Sequence, residues 1–387
     1  MIQQKKEHIA FVINSLKVGG TEKIVVESCN NLDFTKYDVT IVCLSEHDAS
    51  NSILDVTPLA KNINVVYFSY YFNADYSLLG YFKLFFNTSS HSTLKPVVDY
   101  LNTLKPQIVH FHTSPRELMI GTFLKYKVKK IFTDHTLRIL PDQYGKIKTW
   151  LLILFFKRLY KHYDIITVSH QIKQNLIDLA IIHPKRKIIV VQNSIDTTFF
   201  DNPSPFVVEQ LAVIYVSRIA EWKGHKDLIM AWSLLKAIPN KKLMIVGPDS
   251  LQGEMQRYAS ELNCSDSIEF TGTVSNSKEW LLKANIAVFP SYKEGLPLSL
   301  LEKMSMQLPV IVYDIEELAS IIKDNQTGIL CKTGDFHALA EKISQLYKNT
   351  ELRKELGRNA RSYVIQYHQA KNNQKEIEKF YDHTQPT

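Results

Sequence analysis

The segment from Phe289 to Glu302 combines a short apolar run, a loop and the start of an apolar-periodic helix. Gly295 and Pro297 are typical of the turn that joins a strand to a helix. The amides of Leu298 and Ser299 then lie in the first helical turn, where no helix carbonyl is available to pair with them. Because the helix dipole adds partial positive charge there, these amides are suited to binding a phosphate.

Two carboxylates flank this predicted helix start. Glu294 lies in the loop, and Glu302 lies eight residues later in the helix. Glu294 could accept hydrogen bonds from sugar hydroxyls, or it could simply be solvated. Glu302 has a structural alternative, because Ser299 and Glu302 have the spacing of a capping box in which the glutamate bonds the Ser299 amide. The segment therefore assigns a ligand more clearly to Glu294 than to Glu302.

Two cations follow a predicted strand in the second half of the chain. Arg218 and Lys223 both lie in the loop after the apolar run from Ala212 to Val216. Arginine offers a planar fork to phosphate oxygens, and lysine supplies a compact charge. Ordinary solvated surface charge is the alternative. The position at a strand end favours a site that holds a diphosphate.

A pair of glycines, Gly19 and Gly20, follows the first predicted strand and precedes a helical pattern from Glu22 to Leu32. Paired glycines let a backbone approach a ligand closely, and the helix start offers amides to an anion. The loop could also be an ordinary tight strand-to-helix turn. It lacks the G-x-G-x-x-G spacing of dinucleotide-binding loops, so a Rossmann oxidoreductase is disfavoured.

Three histidines lie at the ends of two predicted strands. His110 and His112 end one strand, and the two-residue period of a strand puts both on the same side of it. One of them could be packed and inert. His135 follows the next strand and could line the same ligand site. An H-x-H pair can bind a metal, but the chain has no third ligand of suitable spacing and no Asp-x-Asp, so we expect a metal-free site.

Alternating strand and helix patterns position these residues. Short apolar runs recur along the chain with helical patterns between most of them, which predicts parallel sheets with helices on both faces. The polar stretch from Asn193 to Pro205 is typical of a linker. The expected fold is therefore α/β, with two Rossmann-like parallel-sheet domains facing each other across a cleft. The predicted strands are Ile9–Ile13, Val39–Cys43, Ile63–Tyr67, Ile108–Phe111, Lys130–Thr133, Ile165–Ser169, Ile188–Val191, Ala212–Val216, Leu243–Val246, Ile268–Phe270, Ile286–Phe289 and Val310–Val312.

Length and composition limit the class of protein. The 387 residues exceed what one hydrophobic core usually organises, and the 45% hydrophobic content is that of a soluble globular protein. The four cysteines form no CxxC pair and the N-terminal run lacks a secretory cleavage site, so we expect a reducing cytoplasm. The longest apolar run, Trp150 to Phe156, is far shorter than the about 20 residues that span a bilayer. The formal charge of +7 favours anionic partners; nothing else suggests nucleic acid, and we expect none.

Taken together, these loops resemble glycosyltransferase family 4, the retaining group 1 enzymes of GT-B fold. The resemblance covers nearly the whole chain in order. It implies an enzyme that uses a nucleoside-diphosphate sugar, linked to UDP or GDP, and that requires neither a cofactor nor a metal. The residues that carry it are Gly19-Gly20, His112, Val191 to Asp196, Arg218 with Lys223-Gly224, Phe270 to Val274, and the spaced Glu294 and Glu302.

The resemblance also implies which residues bind the donor. Arg218 and Lys223 would hold its diphosphate, aided by backbone amides. Glu302 would bind the hydroxyls of the nucleotide ribose, and the backbone near Val274 would meet the base. The implied donor-binding set is Gly19, Gly20, Arg218, Lys223, Val274, Gly295, Leu298, Ser299 and Glu302.

Two residues are implied in catalysis. His112 would contact the sugar close to its anomeric carbon, and Glu294 would bind the donor sugar. Retention in such enzymes is commonly attributed to attack on the face from which the diphosphate departs, with an oxocarbenium-like transition state. Positive charge and helix dipoles stabilise charge developing on the leaving phosphate, so this division of roles needs no metal.

The acceptor site is expected in the first half of the chain, with His135 on that side. The stretch from Tyr67 to Phe86 is densely aromatic and could form a sugar platform, a membrane-facing surface or part of the core. A basic amphipathic helix is predicted around the apolar run from Trp150, with a core helix as the alternative. With a pI near 8.9, these segments suggest a lipid-linked acceptor and peripheral contact with an anionic membrane. The flanking cations are Lys146, Lys148, Lys157, Arg158 and Lys161.

We therefore expect a retaining glycosyltransferase that moves a hexose or N-acetylhexosamine to a glycan or lipid-linked acceptor in cell-surface polysaccharide synthesis. It would be cytoplasmic and peripheral on the inner face of the plasma membrane. The alternative is a catalytically silent GT-B scaffold that binds a nucleotide. The expected domains are an acceptor-side domain over residues 1–196, a donor domain over 197–365, and a helical tail over 366–387 that packs back on the first domain.

Overall fold

The computed structural model describes residues 6–49, 52–55, 57–69, 88–113, 117–136, 146–205 and 210–384, without the side chains of 88–93 and 147. The chain divides into two compact units. The N-terminal unit contains the residues up to Asn193 together with those from Lys371 onward. The C-terminal unit is the continuous segment Ser194–Ala370.

The N-terminal unit is built on a parallel sheet of seven strands in the order β3-β2-β1-β4-β5-β6-β7. All its pairings are parallel, so the carboxyl ends of the strands lie along one edge. The strands are β1 Glu7–Ile13, β2 Tyr37–Cys43, β3 Ile63–Tyr67, β4 Ile108–His112, β5 Lys129–Asp134, β6 Asp164–Thr167 and β7 Ile188–Val190. The helices are α1 Gly20–Asn30, α2 Thr88–Leu104, α3 Met119–Thr122, α4 Lys146–Tyr160 and α5 His170–Asp178, with a 3₁₀ turn at Ile53–Asp55.

Apolar side chains cover both faces of this sheet. Every residue of β1 from Ile9 to Ile13 is buried, which is typical of a central strand with helices on either side. Alternate residues of β1 point to two separate hydrophobic clusters. Ala10 and Val12 belong to one cluster, while Ile9 and Phe11 belong to the other.

The C-terminal unit repeats this architecture with a six-stranded parallel sheet in the order β10-β9-β8-β11-β12-β13. Its strands are β8 Ala212–Val216, β9 Lys242–Val246, β10 Ile268–Gly272, β11 Ile286–Phe289, β12 Val310–Tyr313 and β13 Ile329–Cys331. Its helices are α6 His225–Leu234, α7 Glu254–Glu261, α8 Ser277–Leu281, α9 Leu298–Ser305, α10 Glu316–Ala319, α11 Phe336–Lys348 and α12 Thr350–Tyr367. Two 3₁₀ turns, Glu221–Lys223 and Ser265–Ser267, follow β8 and precede β10.

The last helix, α13 Ala370–His383, packs on the N-terminal unit. Tyr381 is fully buried beside β1 and β2, and its hydroxyl lies 2.7 Å from Nδ1 of His110. Ser28 of α1 donates a hydrogen bond to Gln374. The amide of Asp33 donates to a carboxylate oxygen of Glu378. The N-terminal unit is therefore assembled from two segments that are distant in sequence.

The predicted α/β fold with two parallel sheets is confirmed, and the predicted strands are present to within a few residues. One strand was missed. Ile329–Cys331 forms β13, which has only three residues and therefore shows no alternating pattern. The helix predicted from Glu22 begins at Gly20, because Gly19 is extended and holds the N-cap position. The four cysteines are free and buried. Within the described ranges, no helix is long and apolar enough to cross a bilayer.

Candidate functional site

Two loops at the carboxyl edge of the C-terminal sheet are joined by hydrogen bonds. One follows β8 and the other follows β11. The amide of Tyr292 donates to the carbonyl of Trp222 at 2.9 Å. The hydroxyl of Tyr215 donates to the carbonyl of Lys223 at 2.9 Å and lies 2.8 Å from the hydroxyl of Ser291. These contacts fix the positions of the side chains that both loops carry.

Gly224 lets the two loops approach this closely. Its φ of 68° lies in the left-handed region, which disfavours residues with a Cβ. A Cβ at this position would lie 1.8 Å from the carbonyl oxygen of Pro290, far inside van der Waals contact. A side chain here would therefore force the loops apart. At Gly295, in contrast, an added Cβ meets no atom within 4 Å, so the structure shows no steric need for glycine there.

The side chains of Lys223 and Glu294 form an ion pair across the two loops. Nζ of Lys223 lies 2.7 Å from one carboxylate oxygen and 2.8 Å from the other. The side chains are only 18% and 6% exposed, so the pair is largely screened from solvent. The sequence placed these residues on a diphosphate and a sugar, respectively. The structure brings them together and binds them to each other.

Helix α9 begins directly after the second loop. Its N-cap residue is Pro297, and the amide of Leu300 donates to the Pro297 carbonyl at 3.1 Å. Leu298 and Ser299 are therefore the first two helical residues, whose amides precede the first hydrogen bond of the helix. Because Ser299 is inside the helix and not at its cap, the capping-box alternative for Glu302 is wrong.

Glu302 instead connects α9 to the loop after β10. The hydroxyl of Ser277, the first residue of α8, donates to the Glu302 carboxylate at 3.3 Å, and Glu302 is buried. Val274 lies half-buried in the same loop, three residues before Ser277. Arg218 is exposed just beyond β8. The structure thus places Arg218, Lys223, Val274 and Glu294 on three loops at one edge of one sheet, and it places Glu302 in α9, which begins directly after one of these loops.

Sequence reasoning did not single out Lys303, which lies beneath these loops. Its side chain is completely buried, and Nζ lies 3.0 Å from the Ser299 carbonyl and 3.4 Å from the Val216 carbonyl. Burial lowers its pKa to about 7. The sequence carries little signal for it, because Lys303 directly follows Glu302 and the two read as one charged pair between Leu301 and Met304.

A second residue that the sequence did not reveal is Asp227 in α6. One of its carboxylate oxygens accepts hydrogen bonds from the hydroxyls of Tyr292 and Tyr313, at 2.5 Å and 2.7 Å. Tyr292 lies in the loop after β11, so Asp227 anchors that loop from the side of β12. No spacing in the sequence links these three residues.

In the N-terminal unit, the glycine loop forms the start of α1. Gly19 is the N-cap, Gly20 is the first helical residue, and the amide of Lys23 donates to the Gly19 carbonyl. The Glu22 side chain folds over Gly19, so that a Cβ on Gly19 would lie 2.3 Å from a Glu22 oxygen. Glu22 also accepts a hydrogen bond from Ser15, and burial raises its pKa.

The two histidines of β4 have different surroundings. Nδ1 and Nε2 of His110 each lie 2.7 Å from a hydroxyl, that of Tyr381 and that of Thr133. Burial lowers the His110 pKa to about 3, so the ring is neutral and packed. His112 lies 3.1 Å, Nδ1 to Nε2, from His135, and its own Nε2 is buried without a hydrogen-bond partner among the described residues. Burial lowers the pKa of both His112 and His135, the latter to about 4. His112 is therefore a neutral imidazole with one nitrogen uncommitted.

Helix α4 carries a mixed basic and apolar outer face. Trp150 is 59% exposed and Leu154, one turn later, is 43% exposed. The cations around them, Lys146, Lys148, Lys157, Arg158 and Lys161, are exposed as well. Leu152, Phe155 and Phe156 on the opposite face are buried. The prediction of a basic amphipathic helix thus matches this face, while the predicted aromatic stretch from residue 70 to residue 86 lies outside the described residues.

Within the described part of the chain, no group of three or more histidine, cysteine, aspartate or glutamate residues is arranged to hold a metal ion.

Comparisons with known proteins cover both units. Residues 18–199 match the family model for Glycosyltransferase Family 4, and residues 196–363 match the one for Glycosyl transferases group 1. The capsular polysaccharide biosynthesis glycosyltransferase CapM of Staphylococcus aureus is 28% identical over 280 residues, which are 67% of this chain and 72% of CapM. The N,N'-diacetylbacillosaminyl-diphospho-undecaprenol alpha-1,3-N-acetylgalactosaminyltransferase of Campylobacter jejuni is 33% identical over 156 residues, 40% of each chain.

Solved structures show the same fold. The crystal structures of Anabaena Alr3699/HepE in complex with UDP and with UDP-glucose superpose with TM-scores of 0.76 and 0.75. Each is 16% identical in sequence and covers 97% of this chain and 99% of HepE.

Proposed function

The chain belongs to glycosyltransferase family 4, the group 1 enzymes of GT-B fold, and from this we propose that it transfers a hexose or N-acetylhexosamine from a UDP-sugar to a glycan or lipid-linked acceptor. A GDP-sugar is the alternative donor. The observation that carries the donor proposal is the Lys223–Glu294 pair beside the amino end of α9. The UDP complex of HepE supports the donor. The acceptor class is supported by CapM, a capsular polysaccharide biosynthesis glycosyltransferase, and by the Campylobacter enzyme, whose name includes a diphospho-undecaprenol.

The phosphates of the donor are proposed to bind at the start of α9. The amides of Leu298 and Ser299 precede the first helical hydrogen bond, and the helix dipole makes this end electropositive. Arg218 is exposed and can reach a phosphate with its planar fork. The ammonium of Lys223 has three N–H groups, and its two contacts with Glu294 lie on one side of it. Lys223 can therefore also donate a hydrogen bond to a phosphate oxygen. These groups meet the negative charge that develops on the leaving diphosphate without a metal.

The sugar and the ribose are proposed to bind the two glutamates. Each carboxylate has about four acceptor sites, so Glu294 can keep its pair with Lys223 and still accept hydrogen bonds from sugar hydroxyls. Glu302 is held by Ser277 and is proposed to accept from the ribose hydroxyls, with Val274 near the base. The ion pair therefore acts as a preorganised support, because the carboxylate does not have to find its position when the donor arrives.

His112 is the residue of the N-terminal unit that we propose to contact the transferred sugar. The lowered pKa of His112 keeps its ring neutral. His112 can therefore form a hydrogen bond to the sugar through Nε2 without placing a positive charge beside the diphosphate. The contact with His135 fixes the orientation of the His112 ring. We further propose a retaining reaction, which NMR of the anomeric proton in the first-formed product tests directly. An inverted product would refute retention.

The outer face of α4 is proposed to rest on the anionic inner face of the plasma membrane, where a lipid-linked acceptor would be met. Trp150 and Leu154 supply exposed apolar area, and the surrounding cations supply attraction to acidic headgroups. Flotation with phosphatidylglycerol vesicles tests this. Trp150→Ser should lower the floated fraction, while Leu234→Ser, at a 49% exposed position of α6, should not. Equal flotation of both variants and the parent protein would contradict the assignment.

Donor choice is tested by calorimetry and turnover with a panel of UDP- and GDP-sugars. We expect one UDP-sugar to bind and turn over, and Glu294→Gln to lower kcat/KM by at least about 100-fold, as the loss of a buried charged contact in the transition state does. Glu269→Gln is the matched control, because Glu269 also pairs with a lysine in the same unit but is 39% exposed. Folded protein that binds neither UDP nor GDP would overturn the proposal.

A further inference from the structure

Lys303 is a fully buried lysine whose amino group lies close to two aromatic rings. Its Nζ lies 4.8 Å from the ring centroid of Phe289 in β11 and 5.9 Å from that of Tyr215 in β8. Lysine is almost never fully buried without polar partners, because desolvation disfavours its charged form. Here the polar partners are two backbone carbonyls, and no carboxylate among the described residues forms an ion pair with Nζ.

The two carbonyls belong to the segments that carry the proposed donor site. Val216 is the last residue of β8, two residues before Arg218. Ser299 lies in the first turn of α9, whose amides are proposed to bind phosphate. The ammonium of Lys303 therefore holds the end of β8 against the start of α9. A neutral amine keeps two N–H groups but loses the charge that strengthens both hydrogen bonds.

The charged and titratable groups that face Lys303 are those of the same site. Glu302 on α9 and Glu294 in the loop after β11 favour its charged form, whereas Lys223 after β8 disfavours it. The phenol of Tyr215 completes the set, and burial raises its pKa, so it stays neutral. A dianionic diphosphate bound at the start of α9 would add negative charge on the same side as the two glutamates.

We propose that Lys303 is a positioning residue of the donor site that becomes fully protonated when a nucleoside diphosphate binds, so that donor binding and the clamp between β8 and α9 are coupled. This inference rests on the proposed function. The proton comes from the buffer and ends on Nζ of Lys303; no other bond is made or broken. Since burial holds the pKa of the ligand-free residue at about 7, the ammonium is largely deprotonated at pH 8 before the donor arrives.

The test is calorimetry of UDP and GDP binding to the full chain at pH 8, in two buffers of different ionisation enthalpy. The terminal phosphate of these nucleotides has a second pKa of about 6 and is already ionised at that pH. We expect uptake of close to one proton per bound nucleotide, and a Kd that weakens roughly tenfold between pH 7 and pH 8.5. In Lys303→Met and Lys303→Arg, which cannot titrate in this range, both effects should vanish.

Lys241→Met is the matched control. Lys241 also donates to a carbonyl, that of Trp232, and its Nζ lies 4.7 Å from the Trp232 ring centroid. It directly precedes β9, at the amino edge of the parallel sheet, whereas the three loops follow strands at the carboxyl edge. This variant should keep the parent proton uptake. Uptake by Lys303→Met equal to that of the parent protein would overturn the role of Lys303 while leaving the donor assignment intact. Absence of binding by either nucleotide to the parent protein would overturn the proposed function and this inference with it.

Discussion

The Lys223–Glu294 pair should contribute a measurable coupling energy to the stability of the C-terminal unit. Nζ and the nearest carboxylate oxygen are 2.7 Å apart, and the two side chains are 18% and 6% exposed. At an effective dielectric constant of about 20, two charges about 4 Å apart attract by about 4 kcal/mol. Desolvation offsets much of this attraction, which leaves a net coupling of about 2 kcal/mol.

The two single substitutions should differ in cost. Lys223→Met leaves a nearly buried carboxylate without its cation, which costs about 3–5 kcal/mol. Glu294→Gln leaves a lysine that can still donate to an amide oxygen and is more exposed, so we expect about 1–2 kcal/mol. The double variant should be less destabilised than the sum of the two by the coupling energy.

The measurement is a double-mutant cycle by urea unfolding, followed by tryptophan fluorescence. Trp222, Trp232 and Trp280 lie in the C-terminal unit and only Trp150 lies in the other, so the signal reports mainly on the relevant unit. The matched cycle uses Lys242 and Glu269, which are 2.6 Å apart but 47% and 39% exposed. That pair should couple by less than about 1 kcal/mol. Additive effects at Lys223 and Glu294 within about 0.5 kcal/mol would refute the argument that burial, and not distance, makes this pair strong.

Three further predictions follow from features of both units. Gly224→Ala should destabilise the C-terminal unit by roughly 2–4 kcal/mol, because it combines a left-handed φ with a backbone clash, while Gly295→Ala should change the free energy of unfolding by less than about 0.5 kcal/mol. His110 has a folded-state pKa of about 3 against 6.5 for the free side chain, so the unfolded chain binds the extra proton and stability falls as the pH drops below 6.5. By pH 5 this amounts to about 2 kcal/mol, and urea titrations should show a smaller acid loss in His110→Gln; an unchanged loss would exclude His110 as the source. Donor turnover should persist in excess EDTA, and loss of activity that Mg²⁺ or Mn²⁺ restores would show that a metal supplies part of the charge on the leaving group.

Local signals predicted the two sheets well, because strand recognition depends on short apolar runs that the sequence shows directly. The prediction failed at Ile329–Cys331, where three residues carry too little pattern. It also set the start of α1 at Glu22 instead of Gly20, since a glycine in the first turn is not a helix signal.

The candidate site was predicted less completely than the fold. Loops after strands identified Arg218, Lys223 and Glu294 as neighbours at one edge, because parallel strands align their carboxyl ends. Their pairing with each other could not be read from spacing, since 71 residues separate Lys223 from Glu294 and the contact depends on how Gly224 fits against Pro290. The environment of Glu302 was hidden for the same reason: its partner Ser277 is the first residue of another helix, α8, 25 residues earlier in the chain.

The return of α13 to the N-terminal unit has a consequence for the order in which the molecule can be completed. On the ribosome, the seven strands of the first sheet emerge early, but Tyr381, Phe380 and Gln374, which fill that unit, emerge only after the entire C-terminal unit. Until then, the first sheet lacks part of its hydrophobic core, and His110 lacks the Tyr381 hydroxyl that it contacts in the complete structure. The C-terminal unit does not depend on a later segment, because Ser194–Ala370 is continuous. The half of the chain that is synthesised later can therefore reach its final structure before the half that is synthesised earlier.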